Sequence, residues 1–391
     1  MRIALFSPLP PEASGIADYA DLFRNELERA GITVEAPIPG GQWPAKAGDL
    51  ERLARSLDLG GYDLIHFELG GGRIRPFLML RILLYLHPDK IFTATVHDPE
   101  RLAWRAWGMA KFERLPRRVQ QVLTVLTNPI SLARERQVAG RLAAMVTLTR
   151  HGADALASRM CVDRRRVHTI PHGVMLVPQT ELPSLKRVRF LFFGYIFPGK
   201  GIEGLLEALV LLRQRNEAVF SDVHLTIAGG SSPSMMLRGQ TDYLGQLRQL
   251  VDELGLNESV GFETDLPEAR LPELIQAHHA MILPYEDSRK LSLLGRYLGS
   301  SGAAAWAIAS GRGLLVTDAR CMPEEIEAGN GVFFLQRNPA ALADLLEQIV
   351  GNRECIEDWA ACAKQLAITR SWQNVCQQFV RVFKASIQKS W

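Results

Sequence analysis

From Gly194 the chain reads GYIFPGKGIEGLLEAL: a glycine, four residues, then Gly199, Lys200 and Gly201. The preceding VRFLFF has the pattern of a buried strand, and IEGLLEALVLL sets apolar residues at helical spacing. Lys200 is therefore expected in a glycine-flanked turn between a strand and a helix N-terminus. Unpaired backbone N–H groups and the positive helix end favour an anion there, and the ammonium adds a full charge. A nucleotide-binding P-loop needs Ser or Thr after the lysine to hold Mg²⁺; Gly201 supplies no hydroxyl. The same residues also fit a solvated lysine in a tight turn.

Four further groups of residues could do chemistry. In SPLPPEASGIADYADLF, Ser14 and Gly15 stand between a strand and an amphipathic helix, where a glycine lets backbone approach a ligand closely. Asp18 there reads as a first-turn helix charge. His97, in VHDPE at a strand end beside Asp98, suits general acid/base work or, equally, capping of nearby backbone. His66 and Glu68 end another strand, IHFEL. In LGSSGAAAWAIASG, Ser301 and Gly302 open a run of alanines; Ser301 could cap this helix and leave N–H groups facing an anion, or the small residues could simply pack closely.

These residues need elements to hold them, and the pattern supplies two sets. RIALFSP, DLIHFEL, IFTATVHD, AAMVTLT and VHTIPHG read as strands with exit loops, separated by amphipathic segments. The pattern halts at TELPSLKR (180–187), then restarts with VRFLFFGY, VHLTIAGG, SVGFET, HHAMILPY, RGLLVTDA and GVFFL. Strand and helix alternating twice implies an α/β protein of two Rossmann-like, doubly wound domains, residues 1–180 and 187–370. Ligands bind at the carboxyl ends of strands in such sheets, and two facing domains would form a central cleft. The segment 371–391 forms an amphipathic helix.

The chain of 391 residues is long enough for two cores. PFLMLRILLYL is too short and too charged to span a bilayer. The N-terminus enters a strand pattern without the features of a signal peptide. Five cysteines without CxxC pairing argue against a zinc site or disulfide framework and favour a reducing, cytoplasmic setting. Residues 1–170 carry 24 Lys and Arg against 18 Asp and Glu, whereas the remainder carries 21 against 24. The excess concentrates in 101–166, with 14 basic and 4 acidic residues, a patch that attracts phosphates or an anionic membrane surface. RLAWRAWGMAKFERLPRR (101–118) interleaves Trp104, Trp107 and Phe112 with basic residues, as at a membrane interface or on an ordinary surface helix. No nucleic-acid fold signature accompanies it.

Order and spacing of these segments resemble the GT-B glycosyltransferases, specifically the large retaining group that uses nucleotide sugars. The carriers are GKGIEGLLEAL, TLTRHGADAL with HTIPHGV, TIAGG, VGFETDLP, and GRGLLVTDA with Gly313 in place of the usual proline. The resemblance implies transfer of a sugar from a UDP- or GDP-linked donor to a glycan or lipid-linked acceptor, with retention, without a metal or resident cofactor. It places Gly15, Gly194, Lys200, Gly201, Ser301 and Gly302 at the donor; Ser14, Gly15 and His97 at the acceptor; and Lys200 and His97 in catalysis. The C-terminal helix would cross back onto the first domain.

Two departures stand out. Where the family carries an arginine near the lysine, this chain has Tyr195, and Phe197 offers no charge. Where the family carries Glu-x7-Glu, it has Leu298 and Trp306, although a variant group has a similar S-G-A-L turn. Arg289, Lys290 and Arg296 could replace the missing positive charge. A non-catalytic relative that binds a glycan or a partner protein is the alternative that these losses suggest.

Overall fold

A computed structural model describes residues 1–12, 14–40, 42–44, 46–104, 117–230, 242–264, 266–287, 295–296 and 298–388. Arg289, Lys290, Trp107 and Phe112 lie outside the described residues.

The chain divides into two compact units. One comprises Met1–Pro171, Arg289–Ser300 and Trp372–Trp391; the other comprises His172–Ser288 and Ser301–Ser371. In the first unit β1 (Arg2–Phe6), β2 (Thr33–Glu35), β3 (Leu64–Leu69), β4 (Phe92–Val96), β5 (Ala144–Thr147) and β6 (Val167–Thr169) form a parallel sheet in the order β2-β1-β3-β4-β5-β6. Its helices are α1 (Gly15–Arg29), α2 (Ala47–Ser56), α3 (Ile74–Leu86), α4 (Arg117–Arg141) and α5 (Arg150–Met160).

The second unit repeats the plan. Strands β7 (Val188–Phe193), β8 (Val223–Ala228), β9 (Val260–Glu263), β10 (Ala280–Leu283), β11 (Gly313–Thr317) and β12 (Gly331–Phe334) run in the order β12-β11-β10-β7-β8-β9. Between and after them lie α6 (Ile202–Arg215), α7 (Glu217–Ser221), α8 (Tyr243–Glu253), α9 (Leu271–Gln276), α10 (Gly302–Ala309), α11 (Pro339–Gly351) and α12 (Glu354–Thr369). Strands buried on both faces explain the near-continuous apolar runs of β7, β10 and β11.

The last helix, α13 (Trp372–Gln388), belongs to the first unit. Phe379 packs tilted against Phe23 of α1 at 4.6 Å between ring centroids, and Phe383 approaches the His66 ring at 5.1 Å. That apolar face accounts for the amphipathic spacing of the C-terminal sequence.

The segment joining β6 to β7 is fixed to the second unit by a buried cation. The guanidinium of Arg312 donates to the carbonyls of Gln276, His278 and Glu181 and to Thr180 Oγ1. Burial lowers its pKa to about 10.

Candidate functional site

In each sheet the strand order reverses once beside the first strand of the unit, which is where open α/β sheets bind ligands. The reversal lies between β1 and β3 in the first unit and between β7 and β10 in the second.

The Lys200 turn leaves β7 at the second of these points. Gly194 has φ +138, and Gly201, the residue preceding α6, has φ +76. A Cβ on Gly201 would overlap the carbonyl oxygen of Pro284, so the position has no room for the side chain of a P-loop Ser or Thr. Glycine is there because the turn is left-handed and packs directly on the loop after β10. No side chain among the described residues caps α6, and its first N–H groups are left for a ligand or water.

That neighbouring loop brings in Tyr285, a residue that sequence reasoning did not single out. Its fully buried ring lies 3.9 Å from Lys200 Nζ, and its hydroxyl is 3.2 Å from Ser301 Oγ. Thr317 Oγ1 donates to its carbonyl oxygen at 2.7 Å. Burial, and after it the charge of Arg320, lowers the Lys200 pKa despite the phenol beside it. Burial would raise the Tyr285 pKa, but Lys200, the Ser301 hydroxyl and Arg320 together bring it below its ordinary value.

Ser301 occupies the residue before α10, as its type suggests, but its hydroxyl makes no capping bond. Tyr285 engages it instead. The expectation that the side chain caps the helix is corrected on that point, and the first amides of α10, beginning at Gly302, keep no side-chain acceptor. Gly194, Lys200, Gly201 and Ser301 thus all adjoin Tyr285 or the loop that carries it, and Gly302 opens the helix beside them.

In the first unit, Ser14 accepts from the Ala17 amide at 3.2 Å, so its hydroxyl is spent on capping α1. Gly15 follows, and a Cβ there would meet nothing within 4 Å; packing gives no reason for a glycine. At the ends of β3 and β4 lies a buried chain of polar groups. His97 Nε2 donates to Glu68 Oε2 at 2.7 Å. Glu68 Oε1 lies 3.2 Å from His66 Nε2, whose other nitrogen is 2.8 Å from Thr93 Oγ1. Burial opposes the charge on Glu68, yet hydrogen bonds from His66 and His97 hold its pKa below the ordinary carboxylate value. His97 Nδ1 has no hydrogen-bond partner among the described residues. Glu68 was a weak sequence candidate; its pairing with His97 requires β3 and β4 to be neighbours in register.

The segment ahead of α10 lies against this group within the first unit. Thr149 Oγ1 donates to Leu298 O at 3.1 Å, and a Cβ on Gly299 would come 2.5 Å from His97 O. The Arg296 amide donates to the Glu100 carboxylate. Arg296 therefore sits with the first unit.

Residues 178–366, just under half the chain, match the family model for glycosyl transferases group 1. The fold is that of GT-B glycosyltransferases. Anabaena HepE in complex with UDP superposes with a TM-score of 0.68 at 16% identity, covering 98% of this chain and 100% of that one. Sucrose-phosphate synthase from Thermosynechococcus elongatus gives 0.69 at 16% identity over the whole of both chains. Curated relatives are described as D-inositol 3-phosphate glycosyltransferases. The Salinispora arenicola protein is 25% identical over 270 residues, 65% of this chain and 57% of its own length. The Streptomyces griseus protein is 25% identical over 199 residues, 50% of this chain and 39% of its own length. The chain thus spans about 40 to 60% of the curated relatives it matches.

Proposed function

We propose that this protein is a glycosyltransferase that moves a sugar from a nucleoside-diphosphate donor, UDP- or GDP-linked, to a glycan or lipid-linked acceptor with retention. The observation that carries the reading is Lys200: a cation on a left-handed glycine turn at the sheet's reversal, with the uncapped start of α10 tied to the same tyrosine. HepE structures with UDP and with UDP-glucose share the fold and support a nucleotide-sugar donor.

In this reading the donor binds the second unit. Its diphosphate lies at Lys200, Gly194, Gly201 and the α10 amides from Ser301 and Gly302. The anomeric C–O bond breaks and its electron pair stays on the departing diphosphate. Fixed N–H groups and the ammonium stabilise that charge as it grows, with no resident metal or cofactor. The acceptor oxygen forms the new bond. His97, held through Nε2 by Glu68, takes the hydroxyl proton at Nδ1. Ser14 and Gly15 border the acceptor. A lipid-linked acceptor and the basic residues of 101–166 would suit work at the cytoplasmic face of an anionic membrane; no helix among the described residues is long and apolar enough to cross one.

A second reading, a non-catalytic module for glycan or partner binding, is favoured by Leu298 and Trp306 at the positions of the family's two carboxylates. Thermal-shift measurements with UDP, GDP, ADP and their sugars separate the two. Stabilisation by one nucleotide family, with turnover of its sugar, supports the enzyme. No response to any supports the module.

A further inference from the structure

The loop after β11 holds one residue in a backbone conformation that its own side chain disfavours. Arg320 has φ +55, a left-handed conformation that a long side chain rarely adopts and that persists only where its surroundings impose it. Asp287 imposes it here: Oδ1 accepts from the Arg320 amide at 3.2 Å, and Oδ2 accepts from Gln336 Nε2 at 3.3 Å. A glycine would take the same turn without strain.

The strained turn aims a charge. The Arg320 guanidinium carbon stands 5.1 Å from the centroid of the Tyr285 ring, the same ring that Lys200 Nζ approaches at 3.9 Å. Neither cation pairs with a carboxylate among the described residues. The acids nearby are committed elsewhere: Glu286 to Arg337, Asp287 to the Arg320 amide, and Asp318 to the Gln336 amide. Two half-buried like charges sharing one ring, without a counter-ion, are costly unless an anion joins them.

Resting on the donor reading above, we infer that Arg320 is the second cation of that site, its guanidinium holding one phosphate of the nucleoside diphosphate while Lys200 holds the other. It supplies from the loop after β11 the charge that neither Tyr195 nor Phe197 offers after β7. A planar guanidinium suits bidentate contact with phosphate oxygens. Burial first, and the Arg320 charge after it, lower the Lys200 pKa, as expected of two cations at one ring.

The test is Arg320→Gly, which removes the charge and relieves the backbone, so the variant is expected to fold with equal or greater thermal stability. Binding of UDP, UMP, GDP and GMP is measured by calorimetry on the full chain. Wild-type protein is expected to prefer its diphosphate over the matching monophosphate, and Arg320→Gly to reduce that preference about tenfold or more. Arg320→Lys should restore part of it. An unchanged preference in Arg320→Gly, with Lys200→Ala weakening diphosphate binding, overturns the role of Arg320 and leaves the donor reading intact. Wild-type protein that binds none of the four overturns both.

Discussion

At the scale of the residue, two positions can be tested against their neighbours. Gly201 combines φ +76 with direct packing on Pro284. Gly201→Ala should therefore destabilise the fold by at least about 2 kcal/mol, read from urea midpoints, because both the left-handed strain and the overlap must be relieved. A variant as stable as wild type would show that the turn is looser than described. In the proposed mechanism Glu68 acts on the acceptor through His97, to which it is hydrogen-bonded. Glu68→Gln keeps the size but loses the charge, so acceptor-dependent turnover should fall by about 10- to 100-fold while donor affinity stays the same. The double variant Glu68→Gln/His97→Ala should be no slower than His97→Ala alone, since coupled residues are not additive. A further loss in the double variant would give Glu68 a separate role. The types of these residues were legible in the sequence. What they touch was not: Tyr285 and Arg320 follow β10 and β11, distant in sequence from Lys200, and meet it only through the strand order.

At the scale of the element, local patterns carried far. The five strand segments read in the first half and six in the second all form, because buried parallel strands are apolar runs that need no knowledge of their neighbours. β2 went unread; three residues, Thr33–Glu35, are too short to show a period. His278 and His279 form the turn between α9 and β10. There His278 ties elements together: Nδ1 donates to Leu274 O of α9 at 2.7 Å, and Nε2 accepts from Thr226 Oγ1 of β8 at 2.7 Å. Burial lowers its pKa to about 4 against the backbone bond that raises it. The unfolded chain takes up this proton near the ordinary histidine pKa, while the folded one holds the ring neutral. The stability it contributes is full above about pH 6.5 and is lost progressively as pH falls towards 4, on the order of 3 kcal/mol. Urea midpoints of wild type should fall across that window, and those of His278→Gln should fall less. Equal slopes would remove His278 as the cause.

At the scale of the whole molecule, the chain makes two similar sheets and uses each reversal of strand order differently. Beside the first, at the ends of β3 and β4, lies a buried histidine–carboxylate pair; at the second stands a lysine on a glycine turn. Fold class was legible because period and amphipathicity are local properties summed along the chain, whereas the amphipathic pattern of α13 did not say which unit it packs on. The placement of Leu298 and Gly299 beside Thr149 and His97 was not legible either, because no local pattern marks which unit a loop joins. The account stands or falls on the anion at Lys200. The most direct measurement is calorimetric binding of UDP and GDP, each against its nucleoside, to wild type and Lys200→Ala. The account expects the diphosphate to add affinity in wild type and Lys200→Ala to lose at least about tenfold of it, about 1.4 kcal/mol, with nucleoside binding unaltered. Equal diphosphate affinity in the two proteins would contradict it.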